Sequence, residues 1–165
     1  MAIPMEAGDA SLIERGLLFS YAKGVGIYRC PSDRIINVRS YSMQPQFGLY
    51  FNGAPYNGQA SAGYPGYPTI YRENQIEKPP PSQTMVHLDE NPTTLNDGFF
   101  FVAVEGDKWT DLPGVLHRRG GNFSFADNHS EYWRWKDSRT VTLAPMATTP
   151  NNPDLKRVQA AVALK

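Results

Sequence analysis

The stretch Leu112–Trp135, LPGVLHRRGGNFSFADNHSEYWRW, decides how the chain is read. Phe123 and Phe125 alternate with Asn122, Ser124 and Ala126, the period of a half-buried strand. Asp127-Asn128 then offers a two-residue turn, because both types tolerate positive φ and hydrogen-bond their own backbone. His129–Trp135 resumes an extended, aromatic pattern. The reading is a hairpin over Asn122–Trp135, with Ala126 and His129 as its closing cross-strand pair. Alternation then places His129, Glu131, Trp133 and Trp135 on one face and Tyr132 with Phe123 and Phe125 on the other. Gly120-Gly121 precedes the first strand, where a bend or close backbone approach costs little.

Upstream, Thr84–Asp89 reads as a strand and Gly98–Glu105 (GFFFVAVE) as a stronger one. Between them Asp89-Glu90-Asn91-Pro92 and Asn96-Asp97-Gly98 are turn signals. Near the N-terminus, Ser11 and Glu14 have capping-box spacing, and Leu12, Ile13, Leu17 and Tyr21 fall near one helical face. Gly24 and Gly26 stop the pattern, so a helix over 11–23 is expected to pack on the sheet. Residues 1–10 read as a loose leader. Tyr28-Arg-Cys-Pro-Ser-Asp33 predicts a short strand and a turn. Ser40–Asn52 reads as extended, and Asn52–Pro68 as a long Gly/Pro/Tyr-rich loop. Tyr56, Tyr64 and Tyr67 in that loop either pin it to the body or stack on a sugar. At the far end, Asp154 is placed to cap a short helix over Leu155–Leu164.

Composition bounds the function. The 165 residues suit one domain, 1–165. With 16 basic and 16 acidic side chains there is no basic excess for nucleic acid or an anionic membrane. Gly and Pro at 14 each predict many turns, and 20 aromatics (3 Trp, 9 Tyr, 8 Phe) predict an aromatic core. The single cysteine, Cys30, excludes an internal disulfide. It reads as a small buried hydrophobe, since no base lies near it in sequence. No segment reaches the roughly 18 apolar residues of a membrane span, and no basic start precedes an apolar run as in a signal peptide.

Several stretches resemble one family. His117, then nine residues, Asp127, a turn residue and His129, with Gly120-Gly121, Asn122 and Trp133/Trp135 between and after, resembles the C-terminal signature of the prepilin-like H-X9-DG proteins with a DUF1559-like region. Asn128 stands where that pattern has Gly, and Asn is the next-best residue for the conformation. Gly16-Leu-Leu-Phe-Ser-Tyr21, Cys30-Pro-Ser-Asp33 and Val86–Phe100 resemble other segments of the same proteins, in the same order. The resemblance implies a pseudopilin-like α+β domain: an N-terminal helix on an antiparallel sheet, long loops and a short C-terminal helix. It implies a bacterial, non-enzymatic subunit or tip of a type II secretion-like or type IV pilus-like assembly outside the cytoplasm. Partners would be other pilin-like subunits or cell-envelope proteins. Complete family members begin with a leader and a long apolar helix, so the chain is expected to be the soluble region without that stalk.

Three sets of residues carry candidate chemistry. His117, Asp127 and His129 offer nitrogen and carboxylate ligands to a transition metal. A structural role competes: Asp127 holding the hairpin turn and accepting a bond from His117. Asp89 and Asp97, with Glu90 and Asn96, offer oxygens to calcium, the one cofactor the reading leaves open. Trp109, Trp133 and Trp135 offer a stacking face, which makes an extracytoplasmic carbohydrate-binding module the main alternative function. No complete nucleophile–base motif or zinc ligand set is visible, so an enzyme such as a metal-dependent hydrolase is not the expectation.

Overall fold

The computed structural model describes residues 8–35, 37–47, 50–51, 54–55 and 70–163. Its centre is a four-stranded antiparallel sheet of β1 (Tyr41–Met43), β4 (Met85–Asp89), β5 (Gly120–Phe125) and β6 (Ser130–Arg134), in that spatial order. A separate two-stranded ribbon pairs β2 (Tyr50–Phe51) with β3 (Ala54–Pro55). Three short α-helices, α1 (Ala10–Glu14), α2 (Phe19–Ala22) and α3 (Pro153–Ala160), complete the regular elements, so the fold is α+β with a short C-terminal helix. Among the described residues no helix is long and apolar enough to cross a membrane. Tyr56, Tyr64 and Tyr67, and Leu164 at the expected end of α3, lie outside the described residues.

The hairpin forms, but with a different loop. Phe125, not Ala126, closes it against His129, through a 2.9 Å bond from the Phe125 N–H to the His129 carbonyl. Ala126, Asp127 and Asn128 form a three-residue loop in which Asn128 takes φ 73°, the left-handed position such loops require. The extra loop residue shifts the pairing by one, and a one-residue shift turns every side chain to the other face. Phe123 therefore lies opposite Glu131, and Gly121 opposite Trp133. Trp133 and Trp135 join Phe123 and Phe125 on the inner face, with Phe123 and Trp133 stacked at 4.0 Å between centroids. Tyr132, expected among them, sits on the outer face and is exposed.

The inner face carries the core. Met85, Leu88, Phe123, Phe125, Trp133 and Trp135 meet Phe100, Val102, Trp109 and Leu112 from the long connections. From the C-terminus come Leu155, Val158, Ala161 and Val162. Gln44 ties that end to the sheet: its amide donates to the Met85 carbonyl and accepts from the Ala163 N–H, and Met85 N–H bonds the Ala161 carbonyl. Asn152, rather than Asp154, caps α3, accepting from the N–H groups of Asp154 and Leu155. Asp154 is buried instead as an acceptor for the Lys136 and Asp137 N–H groups and the Thr140 hydroxyl.

Three expected elements are not regular. The 11–23 helix splits into α1 and α2, and neither contains a buried residue. Gly16 donates to the carbonyl of Ile13, three residues back, which tightens and ends the first turn. Asp9, not Ser11, caps α1. The helix that feeds the core is thus C-terminal, and the N-terminal segment meets the sheet's outer face through a row of rings, Phe19–Tyr28–Tyr41–His87. The short strand expected from Tyr28 does not form either: Tyr28 ends a 3-10 turn over Val25–Tyr28. The third is Gly98–Glu105, which makes one parallel bridge, Phe99 to Met43, instead of a strand. Beyond it the Phe101 N–H goes to the Asp111 carboxylate and the Ala103 carbonyl to the Gln159 amide, so side chains replace a strand partner.

Candidate functional site

Three segments far apart in sequence converge at the edge of the outer face. The first is Cys-Pro-Ser-Asp. Asp33 N–H bonds the Cys30 carbonyl at 2.9 Å, closing a turn with Pro31 in its second position, where a fixed φ suits the turn. Asp33 is buried, and its carboxylate accepts from the Ile35 N–H and the Ser40 hydroxyl. Ser40 in turn accepts the Cys30 N–H. The turn is thus fixed at both ends, and the half-buried Cys30 sulfur receives the Ser32 N–H at 3.4 Å.

Asp89, at the end of β4, supplies the second side chain. Its Oδ2 accepts the Asn122 N–H at 2.8 Å. Gly114 donates to the Asp89 carbonyl at 2.7 Å, and a Cβ on Gly114 would lie 2.6 Å from the Asp89 Cβ. Only glycine allows that approach.

His117 is the third. It opens a tight turn in which Arg118 and Arg119 hold φ of 49° and 65°, unusual for residues with long side chains. The turn is clamped by the Tyr132 hydroxyl on the His117 carbonyl (2.7 Å) and by the Trp135 N–H on the Arg119 carbonyl (3.0 Å). His117 Nε2 then lies 3.5 Å from Cys30 Sγ and 3.3 Å from Asp89 Oδ2. Burial pushes the Asp89 pKa up, against the Asn122 N–H and the His117 charge, which pull it down. The arrangement can move a proton between thiol and imidazole beside a carboxylate. Sequence reasoning did not find it, because 87 residues separate Cys30 from His117. The only signal available was that Cys30, Asp89 and His117 each sit in a stretch singled out by the same family resemblance.

A cleft of about 330 Å³ opens over the outer face from the same carboxylate. Leu18, Tyr41, His87, Asp89, Asn122 and Ser124 are among the residues that line it. Burial lowers the pKa of His87, whose Nδ1 lies 3.1 Å from the Ser124 hydroxyl.

The expected metal trio is not assembled. Asp127 and His129 pair with each other in the hairpin loop, and His129 Nε2 reaches Glu131 at 3.4 Å. His117 stands at the opposite end of β5, which at about 3.3 Å per residue is far out of reach. Asp127 therefore holds its turn, accepting the His129 N–H, but takes no bond from His117. The calcium pair is divided as well. Asp97 accepts the Phe99 N–H in its own turn, while Asp89 is engaged with Asn122 and His117. Among the described residues no three His, Cys, Asp or Glu side chains are placed to hold a metal ion. Trp109, Trp133 and Trp135 are all core residues, 0, 4 and 6% exposed, so they offer no stacking face.

Glu90 lies on the inner side, fully buried, with the Ser42 and Thr94 hydroxyls beside its carboxyl group. Burial, with the charge of Asp111 nearby, pushes its pKa up to about 8. Asp111 is pushed up to about 7, mainly by burial.

Compared with family models, curated proteins and solved structures, the chain matches none of them.

Proposed function

We propose that the chain is a non-enzymatic subunit or tip protein of a type II secretion-like or type IV pilus-like assembly outside the cytoplasm. The observation that carries this reading is the surface of the N-terminal segment. Leu17, Leu18, Tyr21 and Ile27 are 90, 71, 86 and 68% exposed, within about ten residues of one another in sequence. Large apolar side chains exposed along one short segment fit a surface that meets a partner. The four stretches that resemble the prepilin-like proteins support the same reading, and one of them, Gly16–Tyr21, lies on this surface. The carbohydrate-binding alternative loses the tryptophans it drew on, which are in the core, while its loop tyrosines lie outside the described residues.

The test is site-specific photocrosslinking in the producing bacterium, with the reactive side chain at Leu17 or Tyr21 and, as a control, at exposed Met146. Adducts from Leu17 or Tyr21 with proteins carrying a prepilin leader, and none from Met146, are the expected result. Adducts confined to cytoplasmic proteins would sink the reading.

A further inference from the structure

We propose that Cys30, His117 and Asp89 form a thiol-exchange site at which Cys30 takes up anionic low-molecular-weight disulfides as a mixed disulfide. This goes beyond the assembly reading and does not depend on it.

A thiol reacts as its thiolate, so a nucleophilic cysteine needs a proton acceptor and donors that steady the sulfur. Both are present: His117 Nε2 at 3.5 Å and the Ser32 N–H at 3.4 Å. Asp89 Oδ2, 3.3 Å from the same nitrogen, holds the imidazolium that forms. Cys30 is half-buried rather than sealed, and of the three side chains Asp89 lines the 330 Å³ cleft. The geometry also selects the chemistry. Cys30 and Asp89 face one nitrogen of His117, so the carboxylate does not set the tautomer from the far side, as an acyl-transfer triad requires. Disulfide exchange needs only a thiolate and a nearby proton.

The step balances. The Cys30 proton passes to His117 Nε2. Sγ attacks one sulfur of the disulfide, a new S–S bond forms, the old one breaks, and the departing thiolate takes the proton from the imidazolium. Cys30–SH and RSSR become Cys30–SSR and RSH.

Charge sets the preference among disulfides. The guanidinium of Arg29, the residue before Cys30, is held on the carbonyls of Asp33 and Ile35, at 2.7 Å each, which are neutral acceptors. Arg118 and Arg119, next to His117, are exposed. Such a rim raises the local concentration of an anionic reactant and weakens as salt screens it.

The experiment follows uptake of one glutathionyl group by intact mass, using the whole chain and glutathione disulfide. At about pH 6.5 the native chain should react on the order of tenfold faster than the same chain in denaturant. His117→Gln should erase that advantage, and Asp89→Asn should reduce it and alter the pH profile. Cystamine, a cationic disulfide, should react more slowly than glutathione disulfide at low salt, with the gap closing as salt is added. A native rate no faster than the denatured rate at any pH overturns the proposal, as does a folded His117→Gln chain that reacts like wild type. Should His117→Gln fail to fold, the native-versus-denatured comparison on the wild-type chain decides.

Discussion

Asp89 and Glu90 are neighbours in the chain and face opposite sides of the sheet. Asp89 points outward, accepts the Asn122 N–H and faces His117. Glu90 points inward among Ser42, Thr94, Asp111 and Arg39, where two hydroxyls and a guanidinium offset burial only in part. Burial raises both pKa values; a backbone N–H and an imidazole oppose the rise at Asp89, whereas at Glu90 the Ser42 and Thr94 hydroxyls and Arg39 oppose it but the charge of Asp111 adds to it. A carboxyl group in a dry core keeps its proton, and one at a wet edge with donors can hold a charge. The difference separates a side chain that limits stability from one available for chemistry.

The largest effect should come from Glu90. In the unfolded chain it loses its proton above about pH 4.5, but in the folded chain it keeps it until about pH 8. A raised pKa of this kind means that its contribution is fully favourable below the unfolded value and is lost as pH rises toward the folded one. Between about pH 5 and pH 8 the folded state should lose on the order of 4 kcal/mol from this group. Glu90→Gln, which mimics the protonated form, should remove most of that slope and stabilise the protein at pH 8. Asp111, shifted the same way, should leave a smaller residual slope in the variant. Chemical denaturation at the two pH values measures it. Equal slopes for variant and wild type would mean that Glu90 is solvated or paired.

Gly114→Ala probes the other member of the pair. The added Cβ would sit 2.6 Å from the Asp89 Cβ and 3.0 Å from the Asp89 carbonyl carbon, so backbone must move. Overpacking of this sort costs about 1–3 kcal/mol. Because the displaced residue is Asp89, thiol exchange at Cys30 should fall as well. A variant as stable as wild type would show that the Gly114 segment yields without strain.

Much of the inner face was legible in the sequence, and little of the outer face was. Period-2 aromatics around Asp127-Asn128 are a local pattern, and they do form β5 and β6. The assignment of faces failed on a single loop residue, because register depends on turn length and the sequence fits two- and three-residue loops alike. Gly98–Glu105 has strand composition, yet its backbone groups are met by Asp111 and Gln159, which local pattern cannot anticipate. The 11–23 helix had spacing and a capping signal, but spacing does not reveal whether a core awaits the apolar face. For Cys30 the obstacle is distance: its neighbour His117 is 87 residues away, brought there by a turn in which two arginines adopt left-handed φ.

Asp89→Asn separates stability from chemistry at that edge. Asn keeps an acceptor for the Asn122 N–H but not the charge beside His117. Since burial is the main influence on Asp89 and raises its pKa, the ionised form is disfavoured in the folded state. The charge-free variant should therefore be as stable as wild type, or slightly more so, above the ordinary carboxylate range, while exchange slows. A marked loss of stability at neutral pH would make the His117–Asp89 contact structural first.

The smallest effect is expected at the other end of β5, where Asp127 and His129 form the same kind of pair in solvent. Their side chains are each 37% exposed, against 12% for Asp89. The hydrogen bond to His129 lowers the Asp127 pKa, and that to Asp127 raises the His129 pKa. The two signs bound a window. The Asp127 contribution is present above its unfolded pKa and fades as pH falls through its lowered folded value. The His129 contribution is present below its unfolded pKa and fades as pH rises through its raised folded value. The pair should therefore help most between the ordinary Asp and His values, and salt should screen that help because both groups face water. His129→Ala should lower the melting temperature slightly near pH 5 and hardly at all at pH 9. Asp127→Ala should do more at both, because the loop also loses the acceptor for the His129 N–H. Neither change should alter thiol exchange at Cys30, which lies at the far end of the strand. A variant at Asp127 that slowed exchange while leaving the melting curve unchanged would mean that the two ends of β5 are coupled, and that the loop belongs to the site after all.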